Sequence, residues 1–172
     1  MIFASGISRG AAIVDIGGGA SVLANALLSA GFLDISVLDI AASALDVAKA
    51  RLGPRARDVR WIVADILAWT PSRAYDLWHD RALFHFLTDK EDRVRYRTVL
   101  EKALQPGGTA ILAAFAEDGP EKCSGLPVQR WSASSLADEL GSSFQLAQHF
   151  REEHVTPWGS VQAFTWCRFK RV

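Results

Sequence analysis

Residues 13–21 read IVDIGGGAS, an apolar run broken by Asp15 and followed directly by Gly17, Gly18 and Gly19. Three glycines after a buried strand weaken local structure unless the backbone must turn sharply or something must approach it closely. Ahead of a helix, such a turn aims backbone N–H groups at an anionic or polar ligand. Asp39 stands 20 residues past Gly19, the spacing at which an acidic side chain commonly reaches ribose hydroxyls. Asp65 and Asp80 also sit at the ends of apolar runs, and Asp80 belongs to WHDRALFH (78–85) with His79 and His85. These three side chains are of the types that exchange protons with a reacting group. Asp80 and His79 are expected to face the reacting atoms, and His85, between Phe84 and Phe86, to be a packed residue.

The elements that must position these residues alternate along the chain. AAIVDI (11–16) is a strand, and Leu23, Ala26, Leu27 and Ala30 follow at helical spacing up to Gly31. ISVLDI (35–40) is a second strand, and SALDVAKARLG (43–53) is a helix stopped by Gly53-Pro54. DVRWIVADI (58–66) and AYDLWH (74–79) supply the third and fourth strands. Thr88 and Glu91 have capping-box spacing ahead of a helix whose Tyr96, Leu100, Ala103 and Leu104 share a face. PGG (106–108) ends that helix, and TAILAAF (109–115) is a fifth strand. This rhythm predicts an α/β fold, a parallel sheet with crossover helices on both faces. The runs 144–155 and 160–169 flank TPWG, so an antiparallel hairpin closes the sheet.

Composition narrows the function classes. The 172 residues, 49% of them hydrophobic, fit one domain spanning 1–172. Nineteen basic and 19 acidic side chains cancel, so no basic footprint for nucleic acid or anionic lipid stands out, and neither partner is expected. Cys123 and Cys167 have neither disulfide-framework nor metal-ligand spacing, and no metal is expected. No apolar stretch reaches membrane-span length, and the expectation is a cytoplasmic protein without a membrane partner.

In open α/β sheets the ligand lies beyond the carboxyl ends of the strands, at the glycine turn. A dinucleotide fingerprint needs a glycine at position 22, where this chain has Val22. A nicotinamide-type oxidoreductase is therefore disfavoured. The ordered set VDIGGGAS, VLDI, VADI, YDLWHDRALFHFL, LQPGGTAIL and the terminal hairpin resembles the class I S-adenosylmethionine-dependent methyltransferases. DLWHDRALFHFL followed by GPEKCSGLPVQRW looks like a small bacterial subgroup of unassigned substrate. The resemblance implies a Rossmann-like three-layer sandwich whose mostly parallel sheet is of the seven-stranded type. It implies S-adenosylmethionine as cofactor, S-adenosylhomocysteine as product and a methyl acceptor as partner.

Carried over by position, the resemblance implies that Gly17, Gly18 and Gly19 hold the methionine portion, with Asp15 near its ammonium. Asp39 would accept the ribose hydroxyls, Ile40 would lie against the adenine, and Asp65 would accept its amino group, flanked by Ala64 and Ile66. His79 would offer its backbone carbonyl to the ammonium, and Asp80 is the candidate for orienting or deprotonating the acceptor. Arg81 either pairs with Asp80 or binds an acidic substrate. Residues 116–131 form a long Gly/Pro-containing segment expected to contact the acceptor without regular structure. Trp61 and Trp166 are expected in the core.

Ser21 stands where many members have another glycine, and only 10 residues precede the first strand, where relatives carry a covering helical segment. The N-terminal cap is thus expected to be short or missing and the cofactor site open, with a second copy of the chain as one way to cover it. Methyl transfer to a small molecule or an accessible protein side chain is the first functional reading. The alternative is a non-catalytic domain, or partner subunit, that binds S-adenosylmethionine or S-adenosylhomocysteine without turnover.

Overall fold

The computed structural model describes residues 1–156 and 158–172. One sheet organises the chain: strands β1 (Ala12–Ile16), β2 (Asp34–Asp39), β3 (Val59–Val63), β4 (Tyr75–Arg81), β5 (Leu104–Phe115), β8 (Phe144–Val155) and β9 (Val161–Arg171) lie in the order β3-β2-β1-β4-β5-β9-β8. The first five run parallel, and β9 and β8 are antiparallel, as the alternating pattern and terminal hairpin predict. Between β5 and β8 lie the two-residue strands β6 (Lys122–Cys123) and β7 (Leu126–Pro127), paired as a small hairpin.

Helices cover both faces. Alpha-helices α1 (Leu23–Ser29) and α2 (Ala42–Leu52) pack Leu27, Leu45 and Leu52 against Ile13, Ile35, Val37, Leu77 and Ile111. On the other face α3 (Lys90–Ala103) and α4 (Ala133–Leu140) pack Tyr96, Leu100 and Leu136 against Val14, Ile16, Trp78, Ala110 and Leu112. β1 is buried along its whole length, so its side chains are apolar on both faces except Asp15. Each fully buried Val, Leu or Ile here contributes roughly 1.5–3 kcal/mol, which fixes the central strands and, with them, the edge on which they end.

Several local readings change. The β3–β4 connection carries no helix, so the crossover rhythm is interrupted there. β5 begins at Leu104, and PGG is taken up as an irregularity in its pairing with β4. Helix α3 starts after Asp89 without a side-chain cap; instead the Arg93 guanidinium donates to Leu87 O and Thr88 O. The capping box lies elsewhere, at Ser132 and Ser135 of α4, where two serines replace the Ser/Glu pattern that a sequence reading looks for. The turn read at 156–159 includes Pro157, which lies outside the described residues.

The N-terminal residues sit at the opposite end of the sheet from the glycine turn. Phe3 packs on Phe32, Arg9 lies over the same ring, and Leu33 N donates to Arg9 O, all beside the amino end of β2.

Candidate functional site

Parallel strands that end together bring their terminal residues to one edge, and this gathers the sequence-predicted residues. Beyond the ends of β1, β2, β3 and β4, a cleft of about 300 Å³ is lined by Gly17, Asp39, Ile40, Ala64, Asp65 and Ile66, together with Leu38, Leu67, Ala82, Leu83, Phe86 and Leu87. Asp39 Oδ1 accepts the Ala41 amide at 2.8 Å and Asp65 Oδ1 the Leu67 amide at 2.9 Å. These local bonds hold both carboxylates at the rim, and among the described residues they leave Oδ2 of each without a hydrogen-bond partner. Ile40 is 70% exposed on the same rim, an apolar surface suited to a planar ring.

Gly17 forms the corner of this cleft, Gly18 lines the neighbouring one, and Gly19 lines neither. Gly17 and Gly19 have φ of 65° and 43°, the left-handed region that favours glycine. A Cβ on Gly17 would lie 2.7 Å from Leu83 Cδ1, and one on Gly18 would lie 2.5 Å from Val37 Cγ1 and 2.7 Å from Asp15 Oδ2. Helix α1 begins only at Leu23 and has seven residues, so the glycines form a turn ahead of the helix rather than its first turn. Arg51 of α2 donates to Ala20 O at 2.6 Å and ties that turn down.

Asp15 and His79 are directly opposite on β1 and β4. His79 Nδ1 lies 2.7 Å from Asp15 Oδ1, with both side chains almost fully buried. The pairing with Asp15 is an addition to the expected roles, which gave His79 a backbone carbonyl for the ammonium and a side chain facing the reacting atoms. Both residues line a second cleft, of about 500 Å³, with Gly17, Gly18, Ser21, Val22, Leu23, Ala26, Arg81, Glu152, His154 and Trp166. The two clefts share Gly17. Trp166, expected in the core, is a wall of this cleft; its Nε1 donates to Glu152 Oε2 at 2.6 Å and its ring stacks on Phe150.

Asp80 is corrected. Successive strand residues point to opposite faces, so Asp80 cannot face the cleft that His79 lines. It is fully buried beside Trp78 on the α3 face. Oδ1 accepts the amides of Leu83 and Phe84 at 3.0 and 3.2 Å, and Oδ2 accepts the Tyr96 hydroxyl at 2.6 Å. Burial pushes the carboxyl up to about 6, against the lowering effect of these donors. Its work is to hold the chain reversal after β4, where Ala82 has φ of 68°. That reversal seats Leu83 against Gly17 and turns Phe86 and Leu87 into the first cleft. These wall residues were not foreseen; the apolar run ALF-FL around His85 was the available signal.

His85 is packed, as expected. It is fully buried between Phe86 and Phe115 and accepts the Phe115 amide at 3.4 Å through Nδ1. Burial lowers its pKa to about 4. The 116–131 segment is more regular than expected: it holds the β6–β7 hairpin, turns at Ser124 and Gly125 with positive φ, and packs Cys123 and Val128 on Phe115 and Phe164.

A parallel sheet with a glycine corner, rim carboxylates and a flat apolar rim defines a nucleoside-binding α/β domain. Residues 13–108 match a methyltransferase domain family, and the chain belongs to that family, whose members are S-adenosylmethionine-dependent enzymes. Among curated proteins it is similar to malonyl-[acyl-carrier protein] O-methyltransferase 2 of Ilyobacter polytropus, 27% identical over 107 residues. That match covers 62% of this chain and 40% of the relative's length, so the chain spans less than half of it. A crystal structure of an S-adenosylmethionine-dependent methyltransferase from Methanosarcina mazei superposes with TM-score 0.80 at 15% identity, covering 99% and 97% of the two chains. The 1,6-didemethyltoxoflavin-N1-methyltransferase of Burkholderia thailandensis, solved with its acceptor and S-adenosylhomocysteine, superposes with TM-score 0.77 at 17% identity over 99% of this chain and 75% of that one. At these identities the likeness is one of fold.

Proposed function

We propose that this chain holds S-adenosylmethionine across its two joined clefts and directs its methyl group to a small-molecule acceptor. The observation that carries this reading is the first cleft, which gathers the glycine corner, Asp39, Ile40, Asp65 and Ile66 at one edge of the sheet. Asp39 would hold the ribose hydroxyls through Oδ2, and Asp65 the adenine amino group, with Ile40 and Ile66 against the ring faces. The first cleft suits an adenosine in size and apolar lining. Gly17 and Gly18, which line the second cleft beside Asp15, would sit against the methionine portion.

S-adenosylmethionine supplies an activated methyl on a sulfonium, so displacement asks the protein mainly to orient an in-line nucleophile and exclude water. Orientation of this kind is worth roughly 7–11 kcal/mol in favourable cases. His79 is the base: Asp15 fixes its ring through Nδ1, and Nε2 has no hydrogen-bond partner among the described residues while the ring lines the second cleft. The acceptor's lone pair forms the bond to the methyl carbon, the carbon–sulfur pair returns to sulfur, and the acceptor's proton passes to Nε2. Asp15, bonded at Nδ1, holds the ring in place as the proton reaches Nε2. Asp80 is a positioning residue, holding the wall that Leu83, Phe86 and Leu87 make.

Membership of a family of transferring enzymes favours this reading over binding without turnover. The relative that acts on malonyl-[acyl-carrier protein] has an acidic acceptor, and an acceptor of small size fits the dimensions of the second cleft. Isothermal titration of the chain with S-adenosylhomocysteine, in parallel with nicotinamide adenine dinucleotide, tests the cofactor reading. Heat with the former alone is expected; heat with the latter alone overturns it.

A further inference from the structure

The second cleft holds one guanidinium without an ion-pair partner among the described residues. Of its two carboxylates, Asp15 is held by His79 and Glu152 by the Trp166 indole. Arg81 has no acidic partner within salt-bridge distance among the described residues; the nine ion pairs present all involve other side chains. Its guanidinium instead lies 4.8 Å over the ring of buried Phe164, a contact that holds the planar group in place without neutralising it. Pairing with Asp80 is ruled out by strand alternation, which sends that carboxylate to the other face. A guanidinium fixed on an aromatic ring, facing a cleft whose own carboxylates are hydrogen-bonded to other side chains, is suited to a carboxylate, which it binds through two parallel N–H donors.

Arg81 and His79 stand two residues apart on one strand, on the same face, so their Cα atoms are about 7 Å apart. The Trp166 ring, 6.0 Å from the His79 ring and stacked on Phe150, forms a flat wall beside them. The geometry points to an acceptor subsite for a small, flat molecule that carries a carboxylate at Arg81 and an O–H or N–H nucleophile at His79. This inference rests on the cofactor reading above and names the class of acceptor that the reading leaves open.

The test uses the full chain, saturated with S-adenosylhomocysteine so that nothing turns over, and titrates 3- and 4-hydroxybenzoate against their neutral amides. The acids are expected to bind at least tenfold tighter than the amides. Arg81→Gln should erase that preference, Arg81→Lys should keep part of it, and neither variant should change the Kd of S-adenosylhomocysteine. Equal binding of acid and amide by the wild-type chain, or no binding of either, overturns the inference. An Arg81→Gln variant that loses S-adenosylhomocysteine affinity while leaving the Kd of 5′-methylthioadenosine intact also overturns it, since the carboxylate held would be the cofactor's own. The acid–amide comparison is repeated on the ligand-free chain. Acid preference there, without S-adenosylhomocysteine binding, would sink the cofactor reading and leave the Arg81 subsite standing.

Discussion

His79 Nδ1 lies 2.7 Å from Asp15 Oδ1 because β1 and β4 are parallel neighbours paired in a register that sets the two residues side by side. The bond leaves Nε2 without a hydrogen-bond partner among the described residues, on a ring that lines the cleft adjoining the proposed nucleoside site.

His79→Gln should therefore lower kcat about 100-fold on any acceptor the enzyme methylates, the typical worth of a positioned base, with KM for S-adenosylmethionine within threefold. Asp15→Asn should lower kcat less, since the ring loses the partner that fixes its orientation. Wild-type kcat in both variants would leave orientation alone as the mechanism.

The glycine corner is a packing requirement as well as a binding one. Gly18→Ala places a methyl 2.5 Å from Val37 Cγ1, and overpacking of this kind costs about 1–3 kcal/mol. Urea denaturation should show that loss, while Gly10→Ala, with no heavy atom closer than 4.0 Å, should unfold at the wild-type midpoint.

Two buried groups tilt stability with pH in opposite directions. Asp80 titrates near 6 in the folded chain against an ordinary 3.8; its contribution is fully present below about pH 4 and is lost as pH rises through 6. His85 titrates near 4 against an ordinary 6.5; its contribution is present above pH 6.5 and is lost as pH falls through 4. Denaturation midpoints between pH 4 and 6.5 should then separate the single variants. Asp80→Asn should lose stability on acidification more steeply than wild type, and His85→Gln should gain it. Slopes of the same sign in the two variants would show that one of the groups is not buried as described.

The edge of the sheet was legible in the sequence because parallel strands end together. Apolar runs closed by Asp15, Asp39 and Asp65, with glycines after the first, locate that edge without any tertiary information. The wall of Leu83, Phe86 and Leu87 was not, since it depends on a reversal held by Asp80 with the help of Tyr96, 16 residues further on. Asp80 and His79 were read together as facing the acceptor, although period-two alternation forbids neighbours on a strand from doing so. That alternation also separates Arg81 from Asp80, an ambiguity that the residue types alone leave open. Helix α4 went unread because its cap is a serine pair and its length is only eight residues.

The central claim is that the rim carboxylate of β2 holds the ribose of S-adenosylmethionine. Isothermal titration of S-adenosylhomocysteine into the wild-type chain and into Asp39→Ala measures it directly. Loss of two charge-assisted hydrogen bonds, each worth about 1.5–3 kcal/mol, should weaken binding by tenfold or more while the thermal midpoint stays near that of the wild type, since the Asp39 side chain lies on the rim and, among the described residues, accepts a hydrogen bond from the Ala41 amide alone. An unchanged Kd in Asp39→Ala would contradict the account.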